Sequence, residues 1–242
     1  MHKPAVSKGD IRTLPPVSSA LPPPCYISYM CGRASQAEIK AYRQKINEWL
    51  EPEDFIPRRN LRPTEPAWIV ARREDGLVKT LQARWWCQRD GAGQFETKYP
   101  TFNARVETMH TKKLWPDLLK KGQRCIFPID CFYEWPIKGK GLPPVEIFVK
   151  GREPYALAGL WSRYYDNRET KYSFTSFTCE PNEFMKPLHE KAMPVILNSL
   201  EEQKLWLLEG DEALLRPYEG EMEFEQLPDT LEKLHPEENQ KY

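Results

Sequence analysis

The 242-residue sequence contains no apolar run approaching the roughly 18 residues that a bilayer-crossing helix needs, which excludes a membrane-spanning helix. Its first 29 residues carry Lys3, Lys8 and Arg12 but no apolar segment of the secretory kind, and six prolines interrupt them. There is no C-x-x-C pair, and the spacings Cys25–Cys31 and Cys125–Cys131 match no zinc framework. The six cysteines therefore read as reduced, mostly buried thiols of an intracellular, cytoplasmic chain, with no metal and no cofactor expected. Histidine is scarce, with four residues, and no internal repeat is visible. The formal net charge is zero, which at first speaks against a polyanionic partner.

The chain is rich in aromatics, at 12% with eight Trp. That content fits a dense β-rich core, or a surface that stacks bases. The charge is also unevenly spread. Residues 1–29 hold three basic groups and one acidic group, and residues 201–242 hold four and 13. This leaves 28 basic and 21 acidic groups in residues 30–200, a net of +7. A basic body is thus joined to an acidic C-terminal segment.

Residues 1–29 have no hydrophobic period and read as a disordered leader or as translation from a mis-assigned start. Ser35-Gln36-Ala37-Glu38 has the form of a capping box, and Ile39, Tyr42, Ile46 and Leu50 follow at helical spacing, predicting a helix over 36–50. The pattern then turns to β. Trp68–Ala71 and Val78–Trp86 read as strands around a Glu74-Asp75-Gly76 turn, with a polar loop over 88–100 and a helix around 113–121. Residues 125–135, 145–150, 155–165 and 172–179 read as further strands, and 194–197 as a short apolar run. Ser199 and Glu202 form another capping box, opening a helix with Leu205, Trp206 and Leu208. The sum is an α+β single domain, a curved, mainly antiparallel, barrel-like sheet with peripheral helices over residues 30–210. The acidic segment 211–242 reads as a solvated tail, or as a flap or partner contact.

Four segments carry candidate chemistry. In Met30-Cys31-Gly32-Arg33, loss of the Met would leave an N-terminal Cys, a 1,2-aminothiol with an amine pKa of about 8 and a thiol pKa of about 8.5. The amine condenses with an aldehyde and the thiol closes a five-membered ring. Taken alone, the segment reads more readily as an ordinary Cys at a strand start. In Asn103-Ala104-Arg105-Val106-Glu107-Thr108, Asn103 is able to hold an amine and Arg105 a phosphate, although a surface turn explains both. Glu134, between Tyr133 and Trp135 on an apolar strand, suits acid/base work if buried and is inert if it sits at an exposed edge. His189 precedes the apolar run Met193–Leu197 and is either a proton carrier or a solvated loop residue.

In this order the four segments resemble the SRAP (SOS response-associated peptidase) family, over Met30 to about Leu208. The resemblance implies a β-rich α+β domain with a basic channel for single-stranded DNA, where an N-terminal Cys forms a thiazolidine with the ring-opened sugar of an abasic site. It implies that Cys31 is the aminothiol nucleophile and that Asn103 orients its α-amine. Glu134 would be the acid/base and His189 a second proton donor and acceptor. Arg33 and Arg105 would grip phosphates, and Asn60 and Pro63 would lie in a loop lining the channel. The implied partner is single-stranded DNA with abasic sites, bound by a monomer. The family name also implies a Cys-dependent (auto)peptidase as an alternative. Three features depart from the family pattern: the 29 residues before Met30, the reading His189-Glu190-Lys191-Ala192-Met193-Pro194, and the lack of a Pro-Val-Ser strand pattern near the end. Thiazolidine chemistry requires that Met30 be the true initiator, or that the chain be cleaved between Met30 and Cys31.

Overall fold

The computed structural model describes residues 32–37, 55–73, 75–136 and 142–239. The segment 1–29, Met30, Cys31 and most of the expected 36–50 helix lie outside these residues. Among them the strands are β1 (Ala34–Gln36), β2 (Arg58–Leu61), β3 (Pro66–Arg72), β4 (Val78–Trp85), β5 (Asn103–Arg105), β6 (Arg124–Ile129), β7 (Cys131–Glu134), β8 (Val145–Val149), β9 (Tyr155–Asp166), β10 (Glu169–Cys179), β11 (Met193–Pro194), β12 (Ile196–Leu197) and β13 (Met222–Gln226). The short helices are α1 (Trp115–Lys120), α2 (Leu200–Lys204) and α3 (Leu231–Leu234).

Two tight turns build the larger sheet. Between β3 and β4 the chain reverses through Gly76, whose φ of 82° is the left-handed conformation that glycine adopts without strain. β9 and β10 form a long hairpin that pairs Asp166 with Glu169 and runs to Gly159 opposite Ser176. β3, β6 and β9 pair antiparallel in series, and β10 returns to β4 in parallel at Ser173–Arg84 and Phe174–Trp85. The ring β10-β4-β3-β6-β9 therefore closes as a five-stranded mixed barrel. This bears out the α+β, barrel-like expectation.

The barrel core is aromatic. Trp85 and Phe127 meet edge to face at 5.2 Å, Phe127 and Phe174 at 4.9 Å, and the Trp85 indole donates its N–H to the Phe102 carbonyl at 2.9 Å. The indole polar handle is thus satisfied while its apolar body is buried. Trp206 follows the Ser199–Glu202 capping box, which is present as read, and donates to the Cys125 carbonyl at 3.0 Å.

A second, fully antiparallel sheet has the order β13-β8-β7-β1-β2. The expected strand over 125–135 is two strands in two sheets, split at Asp130. The buried Asp130 carboxylate accepts hydrogen bonds from Ser35 Oγ (2.8 Å) and Ala37 N (2.9 Å), and its own N–H donates to the Ser35 carbonyl (3.0 Å). This corrects the N-terminal capping-box reading. Ser35 and Gln36 belong to β1, with the Ser35 hydroxyl turned to Asp130, and the Gln36 amide donating to the carbonyls of Trp68 and Pro128.

The acidic C-terminal segment is not a solvated tail. β13 pairs with β8 from Met222–Val149 to Gln226–Val145, and Leu231 is fully buried against Cys131, Tyr133 and Phe148. Packing of one apolar face outweighs the local charge density.

Gly159 sits in β9 between β6 and β10, where the backbone leaves no room for a side chain. A Cβ there would lie 2.4 Å from the Thr175 carbonyl oxygen and 3.0 Å from Cys125 Sγ. Gly159→Ala should therefore cost about 1–3 kcal/mol, read as a lower midpoint in chemical denaturation. An unchanged midpoint would mean that the strands move apart freely here.

Candidate functional site

Three loops converge where the small sheet meets the barrel. Gly32 and Arg33 lead into β1, Arg62 and Pro63 leave β2, and Trp135 follows β7. From the barrel side come Trp86, after β4, and Phe102, before β5. Together they line an open cleft of about 520 Å³. Gly32 passes between Phe102 and Pro63, so that an added methyl would touch each at 3.6 Å.

Arg33 is held from three sides. Its Nη1 donates to Asn60 Oδ1 at 2.6 Å and to Glu232 Oε1 at 3.0 Å, and its guanidinium lies 5.7 Å from the Trp135 ring centroid. Asn60 is fully buried, and its Nδ2 has no hydrogen-bond partner among the described residues. The Trp86 Nε1 is likewise buried and unpartnered among them. Behind this wall, Arg58 donates to Glu65 at 2.7 Å and to Glu238 at 3.1 Å. Arg62 donates to Glu65 at 2.8 Å and to the Glu238 carbonyl at 2.9 Å. The Glu238 carboxylate also accepts the consecutive N–H groups of Arg59 (2.7 Å) and Asn60 (2.9 Å). Burial alone would raise the Glu238 pKa, but these N–H donors and Arg58 hold it below the usual carboxylate value.

Asn103 starts β5, which runs parallel to β10, and its Oδ1 accepts from Ser176 Oγ at 2.8 Å. It directly follows Phe102 in the cleft wall. Glu134 ends β7, opposite Val145 of β8 and next to Trp135, and is only 4% exposed. The exposed-edge alternative for this residue is therefore set aside. Arg105 forms a two-pronged pair with Glu107 (2.9 and 3.1 Å) and donates Nη1 to the Lys191 carbonyl at 2.8 Å, tying β5 to the loop that carries His189. In that loop His189 Nδ1 lies 3.2 Å from both the N–H and the carbonyl oxygen of Ala192, which fixes the orientation of the ring. Burial lowers the His189 pKa from its ordinary 6.5, and backbone contacts oppose this only in part.

Arg33, Asn60 and Pro63 thus share one site, and the cleft is lined by the chain neighbours of Asn103 and Glu134. Arg105 and His189 join through the 189–192 loop and do not line the cleft. Cys31 lies outside the described residues. No sequence motif points to Arg62, Trp86, Phe102 or Trp135 as cleft residues. The sequence shows an aromatic excess, but nothing in it distinguishes a cleft Trp from a core Trp. A His235–Glu237–Glu238 group brings three potential metal ligands together, but Glu238 is already committed to Arg58 and two backbone amides.

The fold and site define a mixed-barrel protein with an arginine- and aromatic-lined cleft at the junction of two sheets. Residues 30–234 match the model of the SOS response associated peptidase (SRAP) family, and the chain belongs to that family. It is 32% identical over 185 residues to the abasic site processing protein YoaM of Bacillus subtilis, covering 73% of this chain and 79% of that protein. It is 31% identical over 204 residues to the abasic site processing protein YoqW of the same organism, covering 79% and 89%. A crystal structure of a Bordetella bronchiseptica protein superposes with a TM-score of 0.66 at 22% identity, covering 81% of this chain and 99% of that one, and shares the fold. No helix among the described residues is long and apolar enough to cross a membrane.

His189 should titrate in the folded protein with a midpoint below 6.5, followed by its imidazole NMR signals. Because the folded value is depressed, stability should fall as pH drops from about 6.5 towards that lower midpoint. A midpoint at or above 6.5 would contradict the half-buried, neutral ring.

Proposed function

We propose that this chain captures abasic sites in single-stranded DNA as a covalent thiazolidine through Cys31. The observation that carries the reading is the cleft itself, where Arg33, Arg62, Pro63, Trp86, Phe102 and Trp135 surround Gly32, the covalent neighbour of Cys31. Relatives named as abasic site processing proteins support it. The cations suit phosphate oxygens, and the aromatic rings suit bases unstacked beside a missing one.

The reaction balances without a metal or a redox partner. Once the Met30–Cys31 bond is hydrolysed, the free amine attacks the aldehyde carbon of the ring-opened sugar and one water leaves, giving an imine. The thiol sulfur then adds to the imine carbon, and its proton ends on the nitrogen. Asn103, pinned by Ser176, orients the amine. Glu134, removed from solvent, passes protons to and from the sugar oxygen and the imine nitrogen. His189 is a second proton carrier, neutral at pH 7, which leaves it able to accept. Arg33 and Arg105 contact phosphates, and Asn60 and Pro63 shape the channel wall.

The test is incubation with a single-stranded oligonucleotide carrying one abasic site, followed by a denaturing gel. The wild type should give a stable adduct and Cys31→Ala none. The intact mass of the active protein should begin at Cys31. Glu134→Gln should slow adduct formation by about 10²–10⁴-fold, the usual range for a lost general acid or base, while retaining DNA binding. No wild-type adduct, together with Cys31-dependent cleavage of a peptide, would instead favour the (auto)peptidase reading.

A further inference from the structure

We infer, on the DNA-binding reading above, that Glu232 is an internal substitute for a DNA phosphate, which occupies Arg33 in the free protein and sets how weakly undamaged strands bind. The acidic segment is anchored by the β13–β8 pairing and by the buried Leu231, whose cluster also packs the cleft residue Trp135. These place the next residue, Glu232, with its Oε1 3.0 Å from Arg33 Nη1, the geometry that an anionic phosphate oxygen would take.

The two acidic contacts of this segment differ in burial. Arg58 and Glu238 have side chains only 10% exposed, and Glu238 is further tied to two backbone amides, so this pair belongs to the framework. Arg33 and Glu232 are 22% and 44% exposed. An ion pair this open is easily exchanged. When Glu232 leaves, Arg33 keeps its hydrogen bond to Asn60 Oδ1 and its place over Trp135, so the guanidinium remains aimed at the cleft that it lines. Glu232 also carries a depressed pKa. Burial works to raise it, and Arg33, a backbone N–H and Arg62 together outweigh that effect, so the carboxylate is charged at neutral pH and competes as an anion. Discrimination follows. A strand without a lesion must displace Glu232 for a non-covalent contact alone, whereas a strand with an abasic site is held afterwards by the bond to Cys31.

The experiment measures equilibrium binding of an undamaged fluorescent single-stranded oligonucleotide at fixed salt. Glu232→Gln keeps size and removes charge. It should bind about two- to fivefold tighter than wild type, the range expected for one exposed ion pair. In an Arg33→Gln background the same substitution should bring no gain, because the effect runs through Arg33. Unchanged melting temperatures serve as the control for folding. Equal or weaker binding by Glu232→Gln would overturn the inference and make Glu232 a support for Arg33. A gain that persists without Arg33 would reduce it to general charge repulsion. A wild type that neither binds undamaged strand nor forms the abasic adduct would overturn the functional reading as well. Normal adduct formation with no Glu232 effect would overturn this inference alone.

Discussion

The geometry of the site depends on one buried carboxylate. Asp130 stands where the chain leaves the barrel and enters the second sheet, and it takes hydrogen bonds from both the Ser35 side chain and the Ala37 backbone. Those contacts, with the Gln36 amide bridging two barrel carbonyls, add to the β2 and β7 pairings that hold this three-residue strand. A buried acceptor that loses its donors costs about 1–3 kcal/mol, so the arrangement favours one register strongly. Gly32 and Arg33 lie just before this clamp, and their position over the cleft follows from it.

Charge is organised around the same junction. Zero net charge hides a basic body and an acidic end, and the fold brings the two together. Among the described residues β2 ends its sheet, and Glu238 satisfies two of its backbone N–H groups, covering part of a strand edge that would otherwise offer itself to another chain. The arginines of the site are therefore fixed by carboxylates of different exposure, from the enclosed Glu65 and Glu238 to the open Glu232. That gradient separates framework from contact surface.

Much of this fold is legible in the sequence, and the failures have physical causes. Turn chemistry and alternation locate β3, β4, β8, β9 and β10, because local backbone preference and burial agree there. The Ser199–Glu202 box is a real cap, whereas Ser35–Glu38 has the same letters and a partner, Asp130, that lies 95 residues away in sequence. The split at Asp130 is hidden for the same reason, since only tertiary contacts divide an unbroken apolar run. In Met222–Gln226 the alternation was present, with Met222 and Phe224 on one face, but the surrounding glutamates masked it. At the site, the motifs pointed to Arg33, Asn60 and Pro63, which do meet at the cleft. The opposite wall and the acidic contacts were invisible because each joins residues from distant elements.

The order of strands in the small sheet has a consequence in time. β1 pairs with β2, and its second neighbour is β7, nearly a hundred residues further on. During synthesis at about 5–20 residues per second, the leading strand waits roughly 5–20 s before that neighbour exists. The stretch around Gly32 and Arg33 is thus among the first made and among the last to be seated. In that interval, an enzyme that trims the chain just ahead of it meets a strand still lacking its second neighbour.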